Sequence, residues 1–239
     1  SGFINTYFGS SSYLDTGNMD IWFKGTTATA PTWTMKTPDP FEPTMEESSW
    51  TEVGTIFIFT GSLIDSNQCG NNTDAGFYYT GGITQVSNEK WAVRFSYKMI
   101  TEGGTVESGF PIILSSTTAK GFGTIDACQI NQDNSRKLYA MSSKGTTRTQ
   151  SAGSSSPLVS GTQYYIQLQR TSTTNLEMKI FTDDTFETEF GSTQNCVVAS
   201  DSINYDQLQV RSADNGGSSA PQSTFLVGDI KIYDDWNFE

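Results

Sequence analysis

Histidine is missing from all 239 residues, and with it go Ser-His-Asp and Cys-His catalysis, imidazole metal ligation and the commonest general base. Positive charge is scarce: fourteen Lys and Arg stand against twenty-six Asp and Glu, a net charge of −12. That balance repels phosphate backbones and anionic membrane surfaces, so nucleic acid is not an expected partner. No run of about 18 apolar residues occurs, which argues against membrane insertion. The chain opens at Ser1 without a basic n-region, and the expectation is a secreted, extracellular or cell-surface protein whose leader has been removed. Cysteine is limited to Cys69, Cys128 and Cys196, none of them two to four residues apart as a zinc motif requires. One disulfide and one buried free thiol is the expected use, with the pairing left open. No glycine-rich loop of nucleotide-binding spacing precedes a helix.

Charged residues of both signs reach only 17%, whereas aromatics make up 13% and Ser, Thr, Asn, Gln and Gly are abundant. This is the composition of a polar, strand-rich sandwich whose turns need Gly and Asn. Four of the seven prolines lie between Pro31 and Pro43. Each fixes φ, removes a donor and pushes the preceding residue toward extended geometry, so 31–45 reads as a stiff connector. Before it, 1–30 carries the apolar, strand-prone runs Gly2–Phe8 and Met19–Phe23. Behind it, 46–239 reads as one large domain.

Period-two alternation dominates that domain. Val53–Phe59 reads as a single deep strand. In Trp91–Met99 the residues Trp91, Val93, Phe95, Tyr97 and Met99 face in, while Arg94, Ser96 and Lys98 face out. Shorter strands are expected at 110–114, 124–130 and 138–141. Gln163–Arg170 and Asn175–Phe181 alternate around the polar link Thr171–Thr174, a hairpin that sets Ile166 and Leu168 opposite Leu176, Met178 and Ile180. Gln207–Arg211 and Phe225–Tyr233 close the series. Ten to fourteen strands without a helix imply an all-β, two-sheet antiparallel jelly-roll sandwich.

The segments Trp91–Tyr97 (WAVRFSY), Tyr164–Asp184 (YYIQLQRTSTTNLEMKIFTDD), Leu208–Ser212 (LQVRS) and Val227–Tyr233 (VGDIKIY) together resemble the laminin-G-like, concanavalin-type jelly roll, in the version found in surface and fibre proteins of environmental archaea, bacteria and phages. The resemblance spans about 50–233 and leaves the N-terminal arm outside. It implies a lectin, adhesion module, structural subunit or polysaccharide-active enzyme, and often a bound calcium ion.

Hard cations want several oxygens from carboxylates, amides and carbonyls in loops. The loop holding Asp65, Asn67, Asn71, Asn72 and Asp74 is the first candidate, ahead of Asp201–Asp206 and of Asp183–Asp184 with Asp234–Asp235. Sugar binding needs flat aromatics beside amides or acids, and Trp33, Tyr78, Tyr79, Trp236 and Phe238 are the candidates. Asn71-Asn-Thr73 matches a glycosylation acceptor. Glu187 and Glu189 on one strand face would stand about 7 Å apart by the extended rise, within the inverting-glycosidase range. The longer Glu-x-Asp-x-x-Glu motif of the glycosidases that share the fold is absent, and no catalytic residue is assigned.

The leading expectation is a non-enzymatic, self-assembling surface subunit. Its arm residues Phe3, Ile4, Tyr7, Phe8, Ile21 and Trp22 would add as strands to a neighbouring copy. The alternative is a calcium-dependent glycan-binding module, and a polysaccharide-active enzyme stands third.

Overall fold

The alternation written into the sequence builds two seven-stranded sheets, every paired neighbour antiparallel. The computed structural model describes residues 19–21, 33–35, 40–54, 57–67, 75–83, 86, 90–101, 107–119, 125–133, 135–199, 205–212 and 224–234. The chain divides into two units, 1–39 and 40–239.

In the first unit Met19–Ile21 (β1) pairs with Trp33–Met35 (β2), Ile21 lying opposite Trp33. A strand therefore forms inside the proline-rich segment, between Pro31 and Pro38. Among the described residues β1 and β2 pair with each other, and a proline outside a strand removes no donor from its ladder.

In the second unit, the first sheet runs in spatial order Thr147–Gln150 (β11), Leu138–Lys144 (β10), Ala127–Asp133 (β9), Glu107–Ser115 (β8), Gln207–Ser212 (β15), Gly76–Tyr79 (β6) and Trp50–Val53 (β3). The second runs Gln194–Val197 (β14), Asn175–Phe181 (β13), Gln163–Ser172 (β12), Trp91–Thr101 (β7), Thr224–Asp234 (β16), Leu63–Asp65 (β5) and Ile58–Thr60 (β4). Among the described residues the helical content is one 3-10 turn, Glu47–Ser49.

The inner faces meet in one apolar cluster. Trp91, Val93, Phe95, Tyr97 and Met99 of β7 pack there with Ile166 and Leu168 of β12, against Ile112, Leu114, Ile130, Leu208 and Val210 of the first sheet. Each such side chain withdrawn from water contributes roughly 1.5–3 kcal/mol. Phe57 bridges the two sheets, with ring centroids 6.5 Å from Phe77 and 6.1 Å from Phe225. The hairpin register is as the alternation requires: Ile166 faces Ile180, Leu168 faces Met178 and Arg170 faces Leu176.

Two expectations are corrected. The run Val53–Phe59 is not one strand. Val53 ends β3 in the first sheet and Ile58 opens β4 in the second. Between them Gly54 takes φ +73°, a turn that alternation alone does not reveal. The second correction concerns the thiols. Cys128 and Cys196 are both free and buried. Cys128 Sγ lies 3.2 Å from the Tyr205 hydroxyl, and Cys196 Sγ lies 3.3 Å from Thr149 Oγ1. Each thiol thus has a polar partner inside the sandwich. Cys69 lies outside the described residues.

Candidate functional site

On the outer face of the second sheet, side chains from β7, β12 and β16 and from the loop after β13 enclose a cleft of about 420 Å³, the size of a small-ligand site. Arg94 reaches it because odd positions of β7 are spent on the core. Tyr165 reaches it by the same alternation in β12. Asp229 and Lys231 come from β16, and Asp184 and Phe186 from the loop.

Two local irregularities shape the cleft. Gly228 pairs with Ser96 and Lys231 with Arg94, so β16 carries one residue more than β7 between those pairs. This bulge puts Asp229 at φ +49° and turns its side chain outward, where it is exposed. Asp tolerates the left-handed region better than most residues. A phenylalanine does not, yet Phe186 sits at φ +60°. Strain of this kind, of order 1–3 kcal/mol, persists when surrounding contacts over-determine the conformation.

Those contacts are specific. The Phe186 ring lies 5.3 Å from Phe181 and 6.0 Å from Tyr165, both edge to face, and the Arg94 guanidinium stacks 4.3 Å above it. Asp183 ties the loop together. Its carboxylate accepts the hydroxyl of Thr185 and the backbone N–H groups of Glu187 and Thr188, the last at 2.7 Å. These bonds hold its pKa far below the usual carboxylate value. Arg94 Nε donates to Gln167 Oε1 at 2.6 Å. Burial lowers the Arg94 pKa, and the charge and side-chain hydrogen bond of Tyr233 work in the opposite sense. Lys231 Nζ pairs with Glu42 at 3.2 Å. Burial raises the Tyr165 pKa, and the nearby charges of Asp184, Asp229 and Asp183 raise it further. Tyr165 thus shares the cleft with Asp184 of the loop and Asp229 of the bulge, and burial and their charges favour its protonated form.

The residues singled out from sequence lie elsewhere. Tyr79 is half-buried and packs edge-on against Phe41 at 5.9 Å and Trp50 at 5.4 Å, so it closes the core rather than offering a free ring. Tyr78 is half-buried on the first sheet, opposite Thr51 and Gln209. Trp33 and Ile21 lie on β2 and β1, where the backbone alone is described. Phe3, Ile4, Tyr7, Phe8, Trp22, Asn71, Asp74, Trp236 and Phe238 lie outside the described residues.

Asp65 ends β5, and its Oδ1 accepts the N–H of Asn67, which stands at φ +38°. That is an Asx turn, a use of the carboxylate that competes with a cation. Among the described residues no three Cys, Asp or Glu side chains converge as a metal-ligating group. Glu187 and Glu189 are exposed on the loop beyond the cleft lining, not on a strand face as expected. The tight loop organised by Asp183 interrupts the chain there, and Glu189 accepts from Thr193 Oγ1 at 2.9 Å.

The outer face of the first sheet is packed, with a buried apolar cluster of Phe110, Ile113, Ile125, Ala127 and Met141 beside buried polar side chains. Gln209 Nε2 donates to Ser115 Oγ and to the Thr117 carbonyl, and Arg211 Nη2 donates to the Thr118 carbonyl at 2.7 Å. Gln129 is fully buried there, and among the described residues neither amide atom has a hydrogen-bond partner.

Reasoning from the sequence placed Arg94 on the outer face of β7 and marked Asp183–Asp184 as an oxygen-rich loop. It missed Tyr165, Phe186 and Asp229. For Tyr165 the hairpin alternation carried the signal. For Phe186 and Asp229 the signal would have been a positive φ, which no sequence pattern here encodes.

No protein-family model matches the chain, and no curated protein matches it in sequence. Solved structures do resemble it. The exoplasmic/lumenal domain of VIP36, bound to Ca2+ and Man3GlcNAc, superposes with a TM-score of 0.53 at 11% identity, over 82% of this chain and 87% of that one. The Ca2+-bound form of the same domain gives 0.50 at 13%, over 83% and 90%. The legume lectin-like domain from Entamoeba histolytica gives 0.51 at 12%, over 82% and 97%. The fold is the concanavalin-type, legume-lectin-like jelly roll, as the sequence resemblance implies.

Proposed function

We propose that this protein is a non-enzymatic, extracellular glycan-binding module that holds its ligand in the cleft beside Tyr165. The observation that carries this reading is the cleft itself. Aromatic rings of Tyr165 and Phe186 stand beside carboxylate, hydroxyl, ammonium and guanidinium groups on one sheet face. Pyranose rings present apolar C–H faces to such rings and hydroxyls to such polar groups. The bound glycan and calcium of the VIP36 domain belong to that protein, and they supply precedent for the fold rather than a site for this one. Calcium at the loop beginning with Asp65 remains part of the proposal.

This reading is favoured over self-assembly through the arm because β1 already has a partner, β2, in its own chain. A strand paired within its chain is a poorer candidate for addition to a neighbour's sheet.

Titration calorimetry against a panel of soluble oligosaccharides tests the proposal. Tyr165→Ala should weaken binding of the best oligosaccharide about tenfold, roughly the worth of one aromatic contact. Tyr78→Ala, on the other sheet, should not. A panel without a binder, or a Tyr165→Ala protein that binds as tightly as the parent, would remove the reading.

A further inference from the structure

We infer that the cleft selects saccharides carrying a protonated amine, a deacetylated hexosamine unit, an inference that rests on the glycan-binding reading and narrows it. Some of the charges in the cleft are already engaged. Four charged side chains line it: Arg94, Lys231, Asp184 and Asp229. Arg94 is stacked on Phe186 and bonded to Gln167, and its carbon Cζ lies 5.9 Å from the Tyr233 ring centroid. Lys231 is paired with Glu42. Asp183, next in sequence to Asp184, has its carboxylate occupied by the hydroxyl and amides of its own loop.

Asp184 and Asp229 are different. Both are exposed, and among the described residues neither carboxylate takes part in a hydrogen bond or an ion pair. They come from separate elements, a loop and a bulge, and both act on the Tyr165 hydroxyl. Among the described residues the charged cleft groups without a hydrogen-bond or ion-pair partner are therefore two carboxylates, beside an aromatic ring. An ammonium on a sugar ring can stack its C–H face on Tyr165 while donating charge-assisted hydrogen bonds to the acids, which are about twice as strong as neutral ones. A uronic acid meets repulsion from the same carboxylates and from the net charge of −12. An N-acetyl group keeps the stacking and loses the charge.

The test compares three hexamers by titration calorimetry on the full chain at 0.15 M salt: β-1,4-linked glucosamine, its fully N-acetylated counterpart, and galacturonate. The expected order is glucosamine tighter than the N-acetylated form by about tenfold, with galacturonate weakest. The quantity read is the affinity ratio of the first two. Asp184→Asn and Asp229→Asn should each lower that ratio about fivefold, the upper range for a partly exposed charge pair. Asp206→Asn, an exposed acid outside the cleft, should leave it unchanged.

A ratio near one in the parent protein, with both oligomers sensitive to Tyr165→Ala, overturns the amine selectivity and leaves the glycan-binding reading standing. A ratio that survives both cleft variants, or falls as far in Asp206→Asn, overturns it as well, since bulk charge would then be acting. Spermine binding as tightly as the glucosamine hexamer would show a site for cations rather than for amino sugars, with the same consequence. If no oligosaccharide binds, both readings fall together.

Discussion

Single residues decide where this sandwich is over-stabilised and where it is not. Gln129 is fully buried, and among the described residues both its amide atoms lack partners, a desolvation cost of about 1–3 kcal/mol that no hydrogen bond there offsets. Gln129→Met keeps the volume and removes that cost. Urea unfolding should show a gain of about 1 kcal/mol, and a loss would mean the amide is satisfied by water or by a ligand. Cys128 is the opposite case. Burial pushes its thiol up to about 11 despite the Tyr205 hydrogen bond, so the thiolate that reacts with alkylating agents is almost absent at pH 8. Peptide mapping after iodoacetamide treatment should find Cys128 and Cys196 unmodified in native protein and modified in guanidinium. Asp183 gives the pH dependence. Its pKa is lowered in the folded state, so its contribution to the loop is complete above the unfolded carboxyl value. It fades as acid titrates first the unfolded and then the folded group, below about pH 5. Asp183→Asn should make amide hydrogen exchange in 182–190 faster at neutral pH and nearly independent of pH between 3 and 6 once intrinsic exchange is corrected. A protected, unchanged loop would show that the bonds to Asp183 are dispensable.

Elements differ in how much of them sequence made legible. The hairpin of β12 and β13 was readable in its strands and facing apolar sets, but not in its turn: β12 runs on to Ser172 opposite Asn175, and a bulge between Arg170 and Ser172 shifts the register. Strand β7 was readable from its alternation. The break at Gly54 was not, since Val53, Phe57 and Phe59 continue the alternation while the chain crosses from one sheet to the other. Closeness of backbones is also invisible in a sequence. At Gly76, with φ +148°, a Cβ would stand 2.2 Å from the Val210 carbonyl oxygen and 2.7 Å from Arg211 Cδ. Gly76→Ala should therefore separate β6 from β15 and lower stability by at least about 2 kcal/mol, in the range of strained and overpacked sites. Denaturant unfolding with an unchanged midpoint would refute this. The cleft belongs to this scale too. Its lining alternates correctly along β7 and β12, but the bulge at Asp229 and the turn at Phe186 aim the decisive side chains.

At the scale of the whole molecule, 40–239 contains both sheets and the cleft. A protein of these residues alone should fold cooperatively and keep the saccharide affinity of the full chain. Light scattering of the two forms then tests the arm. An assembly present in the full chain and lost from 40–239 would restore the self-assembly reading. Calcium is tested at the same scale. If the loop from Asp65 holds it, saturating calcium should raise the thermal midpoint by several degrees relative to chelator, by mass action on the folded state. An unchanged midpoint would discard the ion. The sequence by itself determined the all-β class, the inward and outward faces of the long strands and the exclusion of histidine chemistry. Those depend on composition and on a period-two pattern that acts between near neighbours along the chain. Only the tertiary structure decided the cleft. Arg94, Tyr165, Phe186 and Asp229 come from four separate parts of the chain that sheet pairing brings side by side. Which of their charges remain free to meet a ligand depends on partners such as Gln167, Glu42 and the amides that hold Asp183, and these contacts exist only once the strands are in register.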